Sequence, residues 1–104
     1  MEPGSFRTEF LTTASRRRAG VGIPANGDTV GKLHAAVEAN NGHQPGDPAK
    51  AVAAIRRLVA AAEPPLRLQQ GSDCVTLVEG KLASVAEELD RWRDLALSTD
   101  FGSA

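Results

Sequence analysis

One segment of this chain, Leu66–Gln70, has the alternation of apolar and polar residues that is typical of a β-strand. No other segment shows this periodicity, although the end of a second strand is expected at residues 1–3. One strand cannot satisfy its backbone hydrogen-bonding groups or cover both of its faces without neighbouring strands. The chain is therefore expected to need a sheet that is supplied from elsewhere.

Two short helices are predicted between these segments. The first is expected over residues 28–39, capped at its first or second residue, after a glycine- and arginine-rich loop. The second is expected over 49–62. It is predicted because the Asp47 carboxylate can accept N–H groups that lack helical partners, and Pro48 needs no N–H at the first helical position. Pro64-Pro65 stops it.

A longer third helix is predicted from about Cys74 to Leu97, with the turn Gly71–Asp73 supplying its cap. Its apolar residues recur at alternating spacings of 3 and 4, as in a heptad repeat. We interpret this stripe as the docking face of the helix on its own domain, with a partner helix or a coiled coil as the alternative. The stripe consists of Val75, Val78, Leu82, Val85, Leu89, Trp92 and Ala96.

Composition excludes several classes of function. With 12 basic and 13 acidic residues, the net charge of −1 gives no steering toward nucleic acid or an anionic membrane. No apolar run is long enough to span a bilayer, and no signal peptide is predicted. A single cysteine, Cys74, favours the reducing cytoplasm. Because 17 residues are alanine, which buries little area, a thin core and a marginal fold are expected.

Four landmarks in the chain resemble, in order, parts of the short-chain dehydrogenases/reductases. Residues 3–8, Pro-Gly-Ser-Phe-Arg-Thr, are similar to the P-G-x-[apolar]-x-T segment after the sixth strand of that family. Residues 9–45 correspond to its variable substrate loop. Residues 47–53 resemble its D-P-x-x-[apolar]-[AV] helix start, and residues 65–73 resemble its last core strand and exit turn.

The resemblance implies an α/β fold, namely the C-terminal fragment of a Rossmann-like parallel-sheet domain. Within this chain that fragment is mostly helical, with about three helices and one short strand. Residues 1–104 would form part of one domain in four segments. These are the nicotinamide turn at 1–12, the substrate loop and small helix at 13–46, a helix plus the last strand at 47–73, and the C-terminal helix at 74–97.

The resemblance also implies a cofactor contact in the first segment. Pro3 and Gly4 would line the nicotinamide of NAD or NADP, because proline fixes the backbone and glycine lets the main chain approach a flat ring. The backbone at Phe6 and the hydroxyl of Thr8 would hydrogen-bond the carboxamide. The alternative is an ordinary Pro-Gly turn with Thr8 near a helix start.

The catalytic machinery of the family is missing. The chain lacks the T-G-x-x-x-G-x-G phosphate-binding motif and the Y-x-x-x-K pair, and it has no tyrosine. No catalytic residue is assigned, and neither Ser5 nor Ser15 takes that role. Met1 stands where the sixth strand is expected to end. We therefore expect a piece truncated before these motifs, inactive alone and without useful NAD(P) affinity.

In the parent protein the expected reaction is hydride transfer between NAD(P) and a small carbonyl or alcohol substrate. A homo-oligomer is expected through residues 47–70. The alternative function, from another class, is a freestanding helical protein–protein interaction module that binds through the stripe of the third helix. The candidate oligomer contacts are Val52, Ile55, Leu58, Val59 and Leu66–Gln70.

Other signals are weak. Residues 27–33 lack the spacing and the hydroxyl of a phosphate-binding loop. His34 and His43 have no neighbours at metal-ligand spacing, so no metal site is predicted. Cys74 is interpreted as a small buried apolar residue, and Arg16–Arg18 as a solvated charge cluster on a mobile loop.

Overall fold

Two very short strands near the start and the middle of the chain form a parallel pair. The structure, a computed structural model, describes residues 1–102. Glu2 lies opposite Gln69, and Pro3 lies opposite Gln70. Parallel strands need a crossover connection, and two helices lie within it. The elements in chain order are β1 (Glu2–Pro3), α1 (Lys32–Asn40), α2 (Pro48–Val59), β2 (Gln69–Gln70) and α3 (Ser72–Leu97).

The α/β fold class is confirmed, with three α-helices and a small parallel sheet among residues 1–102. The predicted strand at 66–70 is too long, because only its last two residues pair. Leu66 is 93% exposed and lies outside the strand. The expected strand end at residues 1–3 is present, and it is the partner of β2. The sheet within residues 1–102 therefore has two strands of two residues each.

The helix boundaries differ from the predictions at three ends. Helix α1 begins only at Lys32, because residues 27–31 form a wider π-helical turn without a side-chain cap. Helix α2 ends at Val59 rather than near residue 62, where the N–H of Ala60 reaches back to both Arg56 and Leu58. Helix α3 begins at Ser72, two residues early, and no side chain caps it.

The start of α2 is as predicted. The Asp47 carboxylate accepts the N–H of Ala49 at 2.9 Å and that of Lys50 at 3.4 Å, and Pro48 occupies the first helical position. The expected pair of cap and proline therefore defines this end of the helix.

Residues 1–102 contain no buried apolar side chain; the two buried side chains are Gln44 and Gln70. The radius of gyration is 21.1 Å, against about 13 Å for a compact chain of this length. The accessible surface is 8955 Å², whereas a folded monomer of this mass exposes roughly 5,600 Å². The elements are thus held by backbone pairing and a few polar contacts, without a core.

In the described part of the chain, no helix is long and apolar enough to cross a membrane.

Candidate functional site

The segment that leaves β1 begins at a strand edge. The N–H of Glu2 donates to the carbonyl of Leu68 at 2.9 Å, and that of Gly4 donates to the carbonyl of Gln70 at 2.7 Å. Because alternate residues of a strand point their backbone groups to opposite edges, the nitrogen of Pro3 faces away from β2. Proline, which has no N–H, is tolerated there because the pairing with β2 requires no donor at this position.

Gly4 lies directly against the start of α3. A β-carbon at this position would overlap the carboxylate of Asp73. One oxygen of that carboxylate accepts the N–H of Ser5 at 2.6 Å, and the other accepts the N–H of Cys74 at 3.0 Å. The turn therefore needs glycine for a packing reason, namely the approach of an anion that fixes the next peptide.

Phe6 forms the second contact of this segment, an isolated parallel bridge to Gly46. The N–H of Gly46 donates to the carbonyl of Ser5 at 3.0 Å, and the N–H of Arg7 donates to the carbonyl of Gly46 at 2.8 Å. In this pattern the C=O of Ser5 and the N–H of Arg7 point toward Gly46. The N–H and C=O of Phe6, which lies between them, therefore point away from Gly46. Neither group has a hydrogen-bond partner in residues 1–102.

Gly46 is as constrained as Gly4. A β-carbon on Gly46 would come within 2.6 Å of the Phe6 ring and within 2.7 Å of the Ser5 carbonyl oxygen. The close approach explains why a glycine stands at this point of the connector before α2. Any side chain at Gly46 would push Phe6 and its free backbone groups out of position.

The side chain of Arg7 secures the segment from the other side. Its Nε and Nη2 both donate to the carbonyl of Gln44, at 3.1 and 3.0 Å. The Gln44 side chain is buried, and its Oε1 has no partner among the described residues. The connector at 44–46 thus holds the segment through both main chain and side chain.

Thr8 caps a single 3₁₀ turn, Glu9–Leu11. Its Oγ1 accepts the N–H of Phe10 at 3.3 Å. A hydroxyl carries one donor hydrogen and two acceptor lone pairs, so this cap leaves the hydrogen available. The position near a helix start and the proposed cofactor contact are therefore compatible.

Two carboxylates hold the site in place, and both have lowered pKa values. The backbone N–H of Ser5 lowers the pKa of Asp73 by stabilising the charged form. For Glu2 the largest cause of the lowered pKa is a bond from the Gln69 amide at 2.7 Å, followed by the Arg67 guanidinium at 2.5 Å. Both groups are anions at neutral pH and tie β1 to β2 and α3.

The four predicted site residues lie on one continuous segment. The structure puts Pro3 and Gly4 at the end of β1, Phe6 at the bridge to Gly46, and Thr8 at the following turn. Two further residues shape the site and were not predicted. Asp73 lies in the turn expected to cap α3, and its carboxylate accepts the N–H of Ser5 as well as that of Cys74. Gly46 gave no signal in the sequence beyond an isolated glycine before α2.

The loop over residues 14–28 is tied to α1. Arg16 and Arg18 both contact the Glu38 carboxylate, at 3.2 and 2.6 Å, and Arg18 also bonds His34 at 2.8 Å. Arg18 is exposed, as expected for a solvated cluster, whereas Arg16 is half-buried, and both are tied to α1 by these contacts. An open cleft of about 750 Å³ lies beside them, lined by Arg17, Arg18, Val21, Ile23, Val30 and His34 among others.

Within residues 1–102, no three histidine, cysteine or acidic side chains come together as a metal site would require. Cys74 is half-buried, and its Sγ donates to the carbonyl of Glu2 at 3.1 Å.

No known family model matches the sequence. The chain is 32% identical over 100 residues to oxidoreductase BOA17 of Botryotinia fuckeliana, and the match covers 95% of this chain and 35% of that protein. It is also similar to the crystal structure of a short-chain dehydrogenase from Streptomyces avermitilis, with a TM-score of 0.67 and 40% identity. That match covers 95% of this chain and 35% of the other.

The chain thus spans about a third of the length of each relative. The sequence match and the structural match point to the same class of protein. By sequence and by structure, the chain is similar to part of a short-chain dehydrogenase, which is consistent with the expected C-terminal fragment of that family.

Proposed function

We propose that this chain forms the nicotinamide-binding wall and the substrate loop of an NAD(P)-dependent short-chain oxidoreductase. The complete protein would transfer hydride between NAD(P) and a small carbonyl or alcohol substrate. The observation that carries the proposal is the orientation of Phe6, whose N–H and C=O both face away from Gly46 and lack partners within residues 1–102.

The free groups match a nicotinamide carboxamide, which has one acceptor oxygen and two donor hydrogens. The N–H of Phe6 would donate to that oxygen, and the C=O of Phe6 would accept from the amide nitrogen. The Thr8 hydroxyl keeps its hydrogen for a second bond to the oxygen, because its cap uses only a lone pair. Pro3 and Gly4 would present main chain to the ring, since Gly4 has no side chain.

The rest of the active site has to come from residues other than these. Bound NAD(P) supplies the hydride carrier, while this chain orients the nicotinamide face. One carboxamide contact is too little to hold a dinucleotide, whose pyrophosphate needs a helix N-terminus and a glycine-rich turn. No tyrosine is present to act as acid or base. We therefore expect the 104-residue chain alone to be inactive and to bind NADH and NADPH no better than millimolar.

A chimera tests the cofactor contact. Residues 1–102 would replace the matching third of the Streptomyces avermitilis short-chain dehydrogenase, and NADH and NADPH affinity would be measured by isothermal titration. Thr8→Val removes the hydroxyl and should raise the dissociation constant of the preferred cofactor by about fivefold to tenfold, as expected for one hydrogen bond. Thr8→Ser should restore the affinity.

Thr12→Val is the matched control. The Thr12 hydroxyl donates to the carbonyl of Glu9 at 2.7 Å, so the same chemical change there removes only a local turn contact. Equal affinities for Thr8→Val and the unmodified chimera would refute the assignment. Micromolar binding of NADH or NADPH by the isolated chain would refute the expectation that it has no useful cofactor affinity.

Two further features of the complete protein are proposed. A homo-oligomer would form through residues 47–70, where Val52, Val59 and Leu66 are exposed and available. The cytoplasm is the proposed compartment, because the single cysteine is a free thiol that bonds the Glu2 carbonyl.

A helical interaction module is a second candidate function, and it does not exclude the first. The observation that favours it is the exposure of α3, whose residues are exposed without interruption from Glu79 to Leu97. An exposed apolar stripe along a helix of this length fits the matching stripe of another helix.

A further inference from the structure

Within residues 1–102, helix α3 contacts other elements only near its start. Val78 is half-buried, and every later residue of the helix is exposed. Leu82, Leu89 and Trp92 are each more than half exposed, at 64, 55 and 56%. A helix stabilised by packing buries its apolar stripe, and nothing in residues 1–102 covers this one.

We propose that the apolar stripe of α3 binds the same stripe of a second copy of this chain, with the two helices antiparallel. This pairing specifies the partner of the interaction module and does not depend on the cofactor proposal. In a heptad seam the stripe residues alternate between two positions, and antiparallel helices bring one position opposite the other. Two antiparallel registers align six of the seven stripe residues, and one of them pairs Val75 with Trp92, Val78 with Leu89 and Leu82 with Val85 of the second copy.

Side-chain volumes favour this orientation. Each layer pairs a valine with a larger side chain, so the layers have similar total volumes along the seam. In a parallel dimer each residue would meet its own copy. Trp92 would then face Trp92, while Val75 would face Val75, which produces one overfilled layer and several underfilled ones.

Among antiparallel registers, charge complementarity favours this one. Lys81 and Glu88 flank the stripe on the same side, and neither has an ion-pair partner among residues 1–102. In the antiparallel register Lys81 lies beside Glu88 of the second copy, and the two-fold symmetry produces this pair twice. The other nearby charges are satisfied within the helix, where Arg91 contacts Glu87 at 3.1 Å and Arg93 contacts Asp90 at 2.9 Å.

The position of the rest of the chain is also compatible with an antiparallel dimer. Helix α3 has 26 residues, so it is about 39 Å long, and β1 and β2 lie at its N-terminal end. An antiparallel pair separates the two sheets to opposite ends of the helices, whereas a parallel pair brings both to one end.

Sedimentation equilibrium of the 104-residue chain tests the proposal, and a dimer is expected. Lys81→Glu and Glu88→Lys each convert two attractive pairs into two repulsive pairs, so each should weaken dimerisation by about tenfold. The double variant Lys81→Glu/Glu88→Lys reverses both charges and should restore the dimer. Asp94→Lys, on the opposite face of α3, is the control for the charge change and should dimerise normally.

A monomeric wild-type chain at about 100 μM, a concentration at which even a weak helical dimer should be populated, would overturn the proposal and leave the stripe to another partner. A dimer that survives both single variants would also overturn it, because association through residues 47–70 would not depend on these charges. Failure of the double variant to recover would reject the antiparallel register, since a parallel dimer would place the new positive charge at position 88 beside Arg93. None of these outcomes changes the affinity of the chimera for NAD(P), so the two proposals can fail separately.

Discussion

The Asp73 carboxylate accepts the backbone N–H of Ser5 at 2.6 Å, which joins the first turn of α3 to the turn after β1 across 68 residues of sequence. The same carboxylate accepts the N–H of Cys74 and lies against Gly4. Because residues 1–102 form no apolar core, this anion is one of few groups that position the proposed cofactor wall.

Removing this carboxylate should loosen the turn. We expect Asp73→Ala to increase the hydrogen-exchange rate of the Ser5 amide by about tenfold or more, because the N–H loses a charge-assisted bond. Asp90→Ala is the control, since Asp90 is an exposed acid of α3 that contacts only Arg93. Exchange measured by NMR that is unchanged in Asp73→Ala would contradict this role of the contact.

The same bond should depend on pH in one direction. The Ser5 N–H holds the pKa of Asp73 below the usual value for aspartate, so the folded turn favours the charged carboxylate. Its stabilising contribution is fully present above the ordinary aspartate pKa and is lost as the pH falls through the lowered pKa. Carbon-detected NMR titration of the Asp73 carboxyl should find that lowered pKa, and the Ser5 amide shift should follow the same curve. In Asp73→Asn the Ser5 shift should show no such step.

Two glycines near α3 should respond oppositely to alanine. Gly71, which precedes the helix, has φ of 99° and ψ of 147°, a region that residues with a β-carbon avoid. Gly71→Ala should destabilise the chain by about 1–3 kcal/mol. Gly80 lies within α3, and a β-carbon added there would meet no neighbouring atom, so Gly80→Ala should stabilise the helix by about 1 kcal/mol. Thermal unfolding followed by far-ultraviolet circular dichroism compares the two, and a matching shift in both would refute the distinction.

The loop over residues 14–28 should be protected by Glu38. This carboxylate contacts both Arg16 and Arg18, so Glu38→Gln removes the charge that both guanidinium groups share. We expect limited trypsin digestion to cut after Arg16–Arg18 several-fold faster in this variant. Glu87→Gln, which breaks only the exposed contact to Arg91, should leave the rate at those sites unchanged. Equal rates in Glu38→Gln and the wild type would show that the contacts do not restrain the loop.

Much of the secondary structure follows from nearby residues. Asp47 and Pro48 mark the start of α2 because a cap acts within one helical turn, and the structure has both bonds from the Asp47 carboxylate. The apolar spacing of α3 likewise predicts a long helix. The two-residue length of β2 was not predictable, since alternation at Leu66–Gln70 does not say how many residues of another strand are available to pair.

The proposed site likewise has one part that the sequence predicts and another that depends on tertiary contacts. The segment Pro3–Thr8 can be recognised from sequence, because proline, glycine and a hydroxyl at fixed spacing restrict the backbone locally. Its geometry came from residues distant in the chain. Gly46 turns the N–H and C=O of Phe6 outward, and Asp73 holds the Ser5 amide. Such contacts depend on how the connector before α2 and the start of α3 meet β1, and no local pattern encodes the meeting of segments that lie 37 to 68 residues apart.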